Sequence, residues 1–290
     1  MRLSRRVPAL PWMLVCLLAS ASSADSPAQR DPAAVRAGET FRDCDGCPEM
    51  VVIPAGSFTM GSPASEPGHD SEEEPQHQVD IARAFAAGKY EVTFDEWDAC
   101  VREKGCSYSP SDNGRGRGKR PVINVSHRDA KMYTAWLSRK SSRNYRLLTE
   151  AEWEYVARAG TTTAFSSGAS ITPQQANYAT TFSYAGSPVA TSPRNAVPVG
   201  SYAPNAFGLY DVHGNVWEWT EDCWHASYSG APSDGSARTS GECSQRVTRG
   251  GSWDSVPQSL RSAFRGKSTA SFRISEYGGH VVGFRVSRAD

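Results

Sequence analysis

No surplus of charge of either sign runs through this chain: 31 Lys and Arg balance 31 Asp and Glu. A protein that grips nucleic acid by its phosphates carries a basic excess, so this balance excludes the usual electrostatic footprint of a nucleic-acid binder. One local basic run, Arg115-Gly-Arg117-Gly-Lys119-Arg120, reads as a solvated loop rather than a binding patch. Long hydrophobic runs are also scarce. The only sizeable apolar stretch is Val7 to Leu18, interrupted by Pro8 and Pro11, and it is too short to span a bilayer as a helix. No membrane span is therefore expected. No internal repeat of solenoid period is visible, and between Ala179 and Tyr210 there is no Asp or Glu at all.

That apolar stretch has a different reading. Arg2, Arg5 and Arg6 precede it, and the small residues Ala19-Ser-Ala21 and Ser22-Ser-Ala24 follow. This is the three-part layout of a secretory signal peptide over residues 1–24, with cleavage after Ala21 or Ala24. Ser4-Arg5-Arg6 hints at a twin-arginine signal, but the rest of that pattern is poor. Cys16 follows Val15 where a lipid-anchor signal wants a small residue. The expected location is periplasmic or secreted. Loss of residues 1–24 removes three arginines and no acid, leaving 28 basic against 31 acidic side chains, a charge of −3.

Six cysteines then remain, an even number that reads as disulfides in an oxidising compartment. They fall as sequence neighbours, Cys44 with Cys47, Cys100 with Cys106 and Cys223 with Cys243. That pairing is the simplest of fifteen. Cys44-Asp-Gly-Cys47 is also compatible with a redox pair or half a zinc site, although no His or Cys cluster completes one.

Residues 25–47 read as a polar leader carrying Cys44 and Cys47. Strands are expected at Glu49–Ile53, Ser57–Met60 and Gln78–Ala82. Three helices announce themselves by capping boxes, Thr93 with Glu96, Ser126 with Asp129 and Thr149 with Glu152, each followed by apolar residues at helical spacing. Tyr145–Leu148 is a short strand before the third helix. Residues 161–202 are rich in Ser, Thr, Pro and Gly, a loop longer than most domains tolerate unless it is functional or tied down. Short strands are expected at Val216–Trp219, Gln245–Arg249, Leu260–Arg265 and Val282–Val286. The fold class is α+β, with several short helices against irregular β structure.

Seven strings occur in one order: Met50-Val-Val-Ile-Pro-Ala-Gly-Ser-Phe-Thr-Met-Gly61; Tyr90-Glu-Val-Thr93 with Trp97; Pro121-Val-Ile-Asn-Val125; Arg146-Leu-Leu-Thr-Glu-Ala-Glu-Trp-Glu-Tyr-Val-Ala-Arg158; Asn205-Ala-Phe-Gly-Leu-Tyr-Asp-Val-His-Gly-Asn-Val-Trp-Glu-Trp219; Arg249-Gly-Gly-Ser-Trp253; and Gly283-Phe-Arg285. Together they resemble the formylglycine-generating, or sulfatase-modifying factor, family over residues 48–288. The resemblance implies an α+β domain with a C-type-lectin-like topology, low in regular secondary structure and often holding calcium.

It also implies a structural calcium site from the side chains of Asp211 and Glu218 and the carbonyls of Gly214 and Val216. Such a mixture of carboxylate and carbonyl oxygens suits calcium. On spacing alone, Asp211 caps a turn and Glu218 is an ordinary strand residue. A second family site would use Asn177 and Tyr178, but the acid it needs downstream is missing here. His213, inside the first loop, reads as a hydrogen-bonded structural residue.

Authentic formylglycine-generating enzymes oxidise a substrate cysteine using copper held by two thiolates shortly after the Gly-Gly-Ser motif. In this chain Gly250 to Arg265 contains no cysteine; Ser255 stands at the first thiol position and Ser259 or Leu260 near the second. A hydroxyl is a harder donor than a thiolate and stays protonated near neutral pH, so no copper is expected. The equivalent cleft would be lined by Ser252, Trp253, Asp254 and Ser255, with Arg261, Arg265 and Trp217 nearby, a common composition for a binding cleft. Arg265 and Arg285 also read as structural ion-pair partners. His225 and His280 show no spacing that ties them to these serines as a hydrolase triad. Catalytic residues are therefore not assigned. The family has cysteine-free relatives, one implicated in oxidative maturation of the siderophore pyoverdine. Three functions are weighed: an oxidoreductase-like accessory or maturation factor for a secreted peptide, protein or small-molecule substrate; a non-catalytic ligand- or protein-binding module; and a true sulfatase activator, which the missing thiols argue against.

Overall fold

The computed structural model describes Met1 and residues 37–192, 194–241, 243–273 and 281–289. The signal sequence, most of the leader and His280 lie outside the described residues. Each helix begins where its capping box predicts. Helix α1 (Phe94–Arg102), α2 (His127–Ser141) and α3 (Glu150–Arg158) are capped by Thr93, Ser126 and Thr149, whose hydroxyls accept the N–H of the residue three positions on. The acid at that third position reaches back to the cap N–H in every case. Each box thereby satisfies two backbone N–H groups at a helix start that have no partner within the helix.

The strands form three sheets. In the largest, β1 (Thr40–Phe41), β2 (Met50–Ile53), β5 (Phe85–Gly88), β11 (Val286–Ala289) and β6 (Asn144–Leu147) lie side by side, antiparallel throughout. A hairpin joins β3 (Gly56–Met60) to β4 (His77–Ile81). The third sheet has the order β10 (Val282–Phe284), β7 (Trp217–Cys223), β8 (Gln245–Arg249) and β9 (Gly266–Thr269), with β10 parallel to β7. One core lies between α1, α2, the five-stranded sheet and the third sheet around Trp97, Tyr133 and Phe284, the first two rings stacked at 5.8 Å. A second lies between α3 and the β3–β4 hairpin, and a third sits under the long loop around Phe165, Tyr178 and Leu260.

Two expectations are corrected. Leu260–Arg265 is not a strand: a short 3-10 turn (Pro257–Leu260) ends there, and the arginines that look outward-facing in an alternating pattern are buried. The 112–120 segment is not simply solvated, because Arg117 pairs with Asp98 at 2.5 Å and lies over Phe94, while Arg120 donates to the Ala196 carbonyl. The latter bond, with Val199 N–H to Lys119 O at 2.9 Å, helps tie down the 161–202 loop. The three disulfides close as the neighbour pairs Cys44–Cys47, Cys100–Cys106 and Cys223–Cys243. Among the described residues no helix is long and apolar enough to cross a membrane.

His127, the first residue of α2, is buried with Nε2 3.0 Å from the Thr220 carbonyl and its ring edge-on to Trp219. Burial, aided by the charge of Arg246, pushes its pKa down from 6.5 to about 4. Between those values the unfolded chain takes up a proton that the folded chain refuses, so stability falls as the pH drops through this window. The contribution is about 3 kcal/mol once pH 4 is reached. His127→Gln keeps a donor for Thr220 and removes the titration. Urea unfolding at pH 7 and pH 4 should show the variant losing about 3 kcal/mol less than the wild type between the two; an identical loss would refute the assignment.

Candidate functional site

Strand β8 delivers the chain to a turn at Gly250–Ser255. Gly251 adopts φ +73°, and a Cβ there would sit 2.7 Å from Leu260 Cδ1 and 3.1 Å from the Ser259 carbonyl, so only glycine fits. The turn is closed by Ser255 N–H to Ser252 O at 2.9 Å. Ser252, fully buried, donates its hydroxyl to Asp254 Oδ1 at 2.6 Å and lies 3.0 Å from Ser255 Oγ, which accepts the Ser252 N–H. Trp253 N–H donates to Asn215 O at 3.0 Å, and Ala179 N–H to Ser255 O at 3.0 Å. The structure thus brings Ser252, Trp253, Asp254 and Ser255 together on one turn, stitched to the 177–179 and 211–216 loops.

Arg261 and Arg265 do not join them. Arg261 is fully buried and held by Glu73 at 2.5 and 2.9 Å, by Glu66 at 2.7 Å and by the Gly68 carbonyl. Arg265 is held by Glu150 at 2.7 and 3.0 Å and by the carbonyls of Glu72 and His225, between the rings of Trp224 and Tyr228. Both guanidiniums are spent on the packing of the acidic 62–76 loop and α3. Trp217 lies against Phe264 with its buried Nε1 unpartnered. His213 accepts from the Ser166 N–H at Nε2 and meets the Leu260 carbonyl at Nδ1, and burial lowers its pKa to about 4. It is a neutral structural residue. His225 is bonded at Nδ1 to the Cys223 carbonyl at 3.1 Å, and the hydrogen bonds of Ser252 and Ser255 given above do not include it.

The 211–218 segment enters β7 through a tightly curled loop. Gly214 has φ +94°, and a Cβ on it would fall 2.2 Å from the Asn177 carbonyl. Asp211 Oδ2 accepts the Gly200 N–H at 2.7 Å, whereas Oδ1 is buried without a partner. Glu218 Oε2 accepts from Trp153 Nε1 at 2.9 Å and Arg285 Nε at 3.2 Å; Oε1 accepts from Arg285 Nη2 at 2.9 Å. A third carboxylate, Glu91, is fully buried beside them and accepts from Asn215 Nδ2 at 2.6 Å and the Val216 N–H at 3.2 Å. Burial, together with the negative neighbours Asp211 and Glu218, drives the Glu91 pKa well up, and burial pushes Asp211 up to about 6.

Three buried carboxylates thus face one guanidinium, Arg285. The orphaned Asp211 oxygen and a vacant lone pair on Glu218 Oε1 are what a hard cation would take. The Asp211, Gly214, Val216 and Glu218 set therefore fits calcium, although among the described residues no three His, Cys, Asp or Glu side chains by themselves form a metal cluster. The Asn177 and Tyr178 set lacks the downstream acid, although Asn177 Oδ1, like Asp211 Oδ1, is buried without a partner among the described residues. The Tyr178 carbonyl already accepts from Thr180 N–H at 2.8 Å and Ser192 Oγ at 3.4 Å, so loop hydrogen bonds stand where a second cation would need the missing acid. Sequence reasoning missed Glu91 and Asn215. An acid set between Tyr90 and Val92, inside an otherwise apolar motif, was the available signal.

Comparison with known proteins adds the following. The sulfatase-modifying factor enzyme 1-like domain family matches residues 36–289. The formylglycine-generating enzyme of Mus musculus is 28% identical over 296 residues, covering 83% of this chain and 77% of that protein. Serine/threonine-protein kinase pkn1 of Chlamydia caviae is 30% identical over 255 residues, covering 79% of this chain, which spans only 37% of the kinase. Among solved structures, PvdO from Pseudomonas aeruginosa superposes with a TM-score of 0.74 at 38% identity, covering 89% of this chain and 100% of that one.

Proposed function

The chain belongs to the sulfatase-modifying factor enzyme 1-like family, and from that premise we propose that it is an exported accessory or maturation factor. In this reading it receives a secreted peptide, protein or siderophore precursor at the Gly250–Ser255 turn, without copper–thiolate chemistry. The observation that carries the reading is the turn itself. Ser255, at the first thiol position, is bound into a network of two hydroxyls and a carboxylate, and the six cysteines of the described residues are joined to one another. Monovalent copper needs soft donors, and the site offers oxygen. The likeness to PvdO, over nearly the whole of both chains, supports placing this protein with family members of that type rather than with sulfatase activators. The signal-peptide layout and the disulfides support export.

A non-catalytic binding module is the second reading. It is favoured by the commitment of His213 and His225 to other partners, which leaves no imidazole bonded to Ser252 or Ser255 among the described residues, His280 not being one of them.

Incubation of the purified chain with copper, oxygen and a cysteine-bearing peptide is expected to leave the thiol intact, read by mass spectrometry. Stoichiometric copper loading, or conversion of the thiol to an aldehyde, would end the oxygen-donor reading. Turnover of a peptide or catechol-like substrate that is lost in Ser255→Ala and Asp254→Ala identifies the maturation role; saturable binding without turnover identifies the module. In both, calcium at Asp211, Gly214, Val216 and Glu218 would hold the loop that backs the turn, through Asn215 to Trp253.

A further inference from the structure

The Gly-Gly-Ser-Trp turn faces the basic 111–120 loop, and the two meet at Trp253. Arg115 lies with its guanidinium carbon 4.9 Å over the Trp253 ring. Its neighbours on the loop are committed: Arg117 is bidentate to Asp98, and Arg120 holds the Ala196 carbonyl. Asp112, the nearest acid on the loop, gives its two oxygens to the N–H groups of Gly114 and Gly116, at 3.0 Å each. It stays turned into its own loop. Trp253 Nε1 is buried and has no acceptor among the described residues. Arg115, Arg120, Asp112 and Trp253 line one small, open-mouthed pocket together with Phe94 and Ile123.

This cleft is over-supplied with donors. A buried N–H without an acceptor is uncommon in folded proteins and calls for a partner, a water or a ligand group. A neutral carbonyl would satisfy the indole but leave the guanidinium without a counter-charge. A carboxylate answers both, since its two oxygens match the planar guanidinium fork and still have lone pairs for the indole. We propose that the Trp253–Arg115 cleft is a subsite that grips a carboxylate group of the protein's ligand. The inference rests on the reading that the ligand is received at this turn, and it names the part of the ligand that is held; it does not require turnover.

The test uses the full chain labelled with nitrogen-15 and follows the indole Nε1–H resonance of Trp253, identified by its loss in Trp253→Phe. Three probes are titrated at fixed ionic strength: acetyl-triglycine with a free carboxylate, its C-terminal amide, and acetyl-Gly-Asp-Gly amide, whose carboxylate is on the side chain. At least one carboxylate probe should shift the resonance saturably, and the amide of triglycine should bind about tenfold more weakly or worse, the usual effect of losing a charged hydrogen bond. Which carboxylate probe binds tells a peptide C-terminus from an acidic side chain. Arg115→Gln, on an exposed loop, should weaken the same probe by about tenfold without moving the melting temperature. Equal binding of acid and amide, an equal response to inorganic phosphate, or no shift from either carboxylate overturns the subsite. Turnover or binding elsewhere on the chain, measured as above, would leave the maturation reading standing in that event.

Discussion

Replacing Glu154 with alanine is expected to lower stability by about 3–5 kcal/mol, the usual effect of stranding a buried charge. For a domain of this size that is a fall of about 6–10 °C in melting temperature. Glu154 is fully buried on α3 and serves three donors at once. Its Oε1 accepts from the Gly61 N–H at 2.9 Å and from Arg158 at 2.8 and 2.9 Å, and its Oε2 accepts from Arg249 at 2.5 Å. Arg249 is the residue immediately before Gly250, and its remaining donors hold the carbonyls of Ser262, Ala263 and Phe264. Removing the carboxylate leaves Arg158 in the interior with only carbonyl partners and Arg249 with carbonyls and a longer contact to Glu150 at 3.7 Å. Glu154→Gln keeps an acceptor for Gly61 but not the charge, and should recover only part of the loss. The contrasting case is Lys140→Ala. Its partner Glu103 is 45% exposed, so the change should stay under about 1 kcal/mol. Melting of Glu154→Ala within a degree or two of the wild type would show that this ion-pair hub does not hold the turn.

The same residues explain which parts of the molecule were legible in the sequence. Helix starts were, because a capping box is a local signal: Thr93, Ser126 and Thr149 each state their role within three residues. Strand β5 was not. Phe85-Ala-Ala-Gly88 has no β-branched residue, and it is a strand only because β2 and β11 flank it. The arginines misled most. Arg261 and Arg265 are spaced like the outward face of a strand or the rim of a cleft, and nothing local says otherwise. Their partners, Glu73 and Glu150, lie 188 and 115 residues away in sequence. Several strings that identify the family, Arg249, Arg285, Glu154 and Glu218 among them, are therefore largely the wiring of a buried ion-pair network.

Chelation is expected to destabilise the protein as strongly as any single substitution. The 211–218 loop carries a buried carboxylate oxygen with no partner, and three buried acids there share one guanidinium. Without a cation, burial favours keeping protons on Glu91 and Asp211, the latter held up to about 6. Near neutral pH these acids therefore oppose folding unless a positive charge joins them. Calcium bound only to the folded chain stabilises it by mass action, about 4 kcal/mol at a free concentration a thousandfold above its dissociation constant. Melting in calcium and then in excess EGTA should show a drop of about 8 °C or more. In Asp211→Asn that gap should shrink or vanish, since a neutral amide is a poor substitute for a carboxylate at a hard cation. Elemental analysis of the purified wild type should find about one calcium per chain. A melting curve indifferent to EGTA, with no calcium found, would mean that protonation alone settles the cluster. In that case the loop behind Trp253 is held by Asn215 and Arg285 without help from a metal.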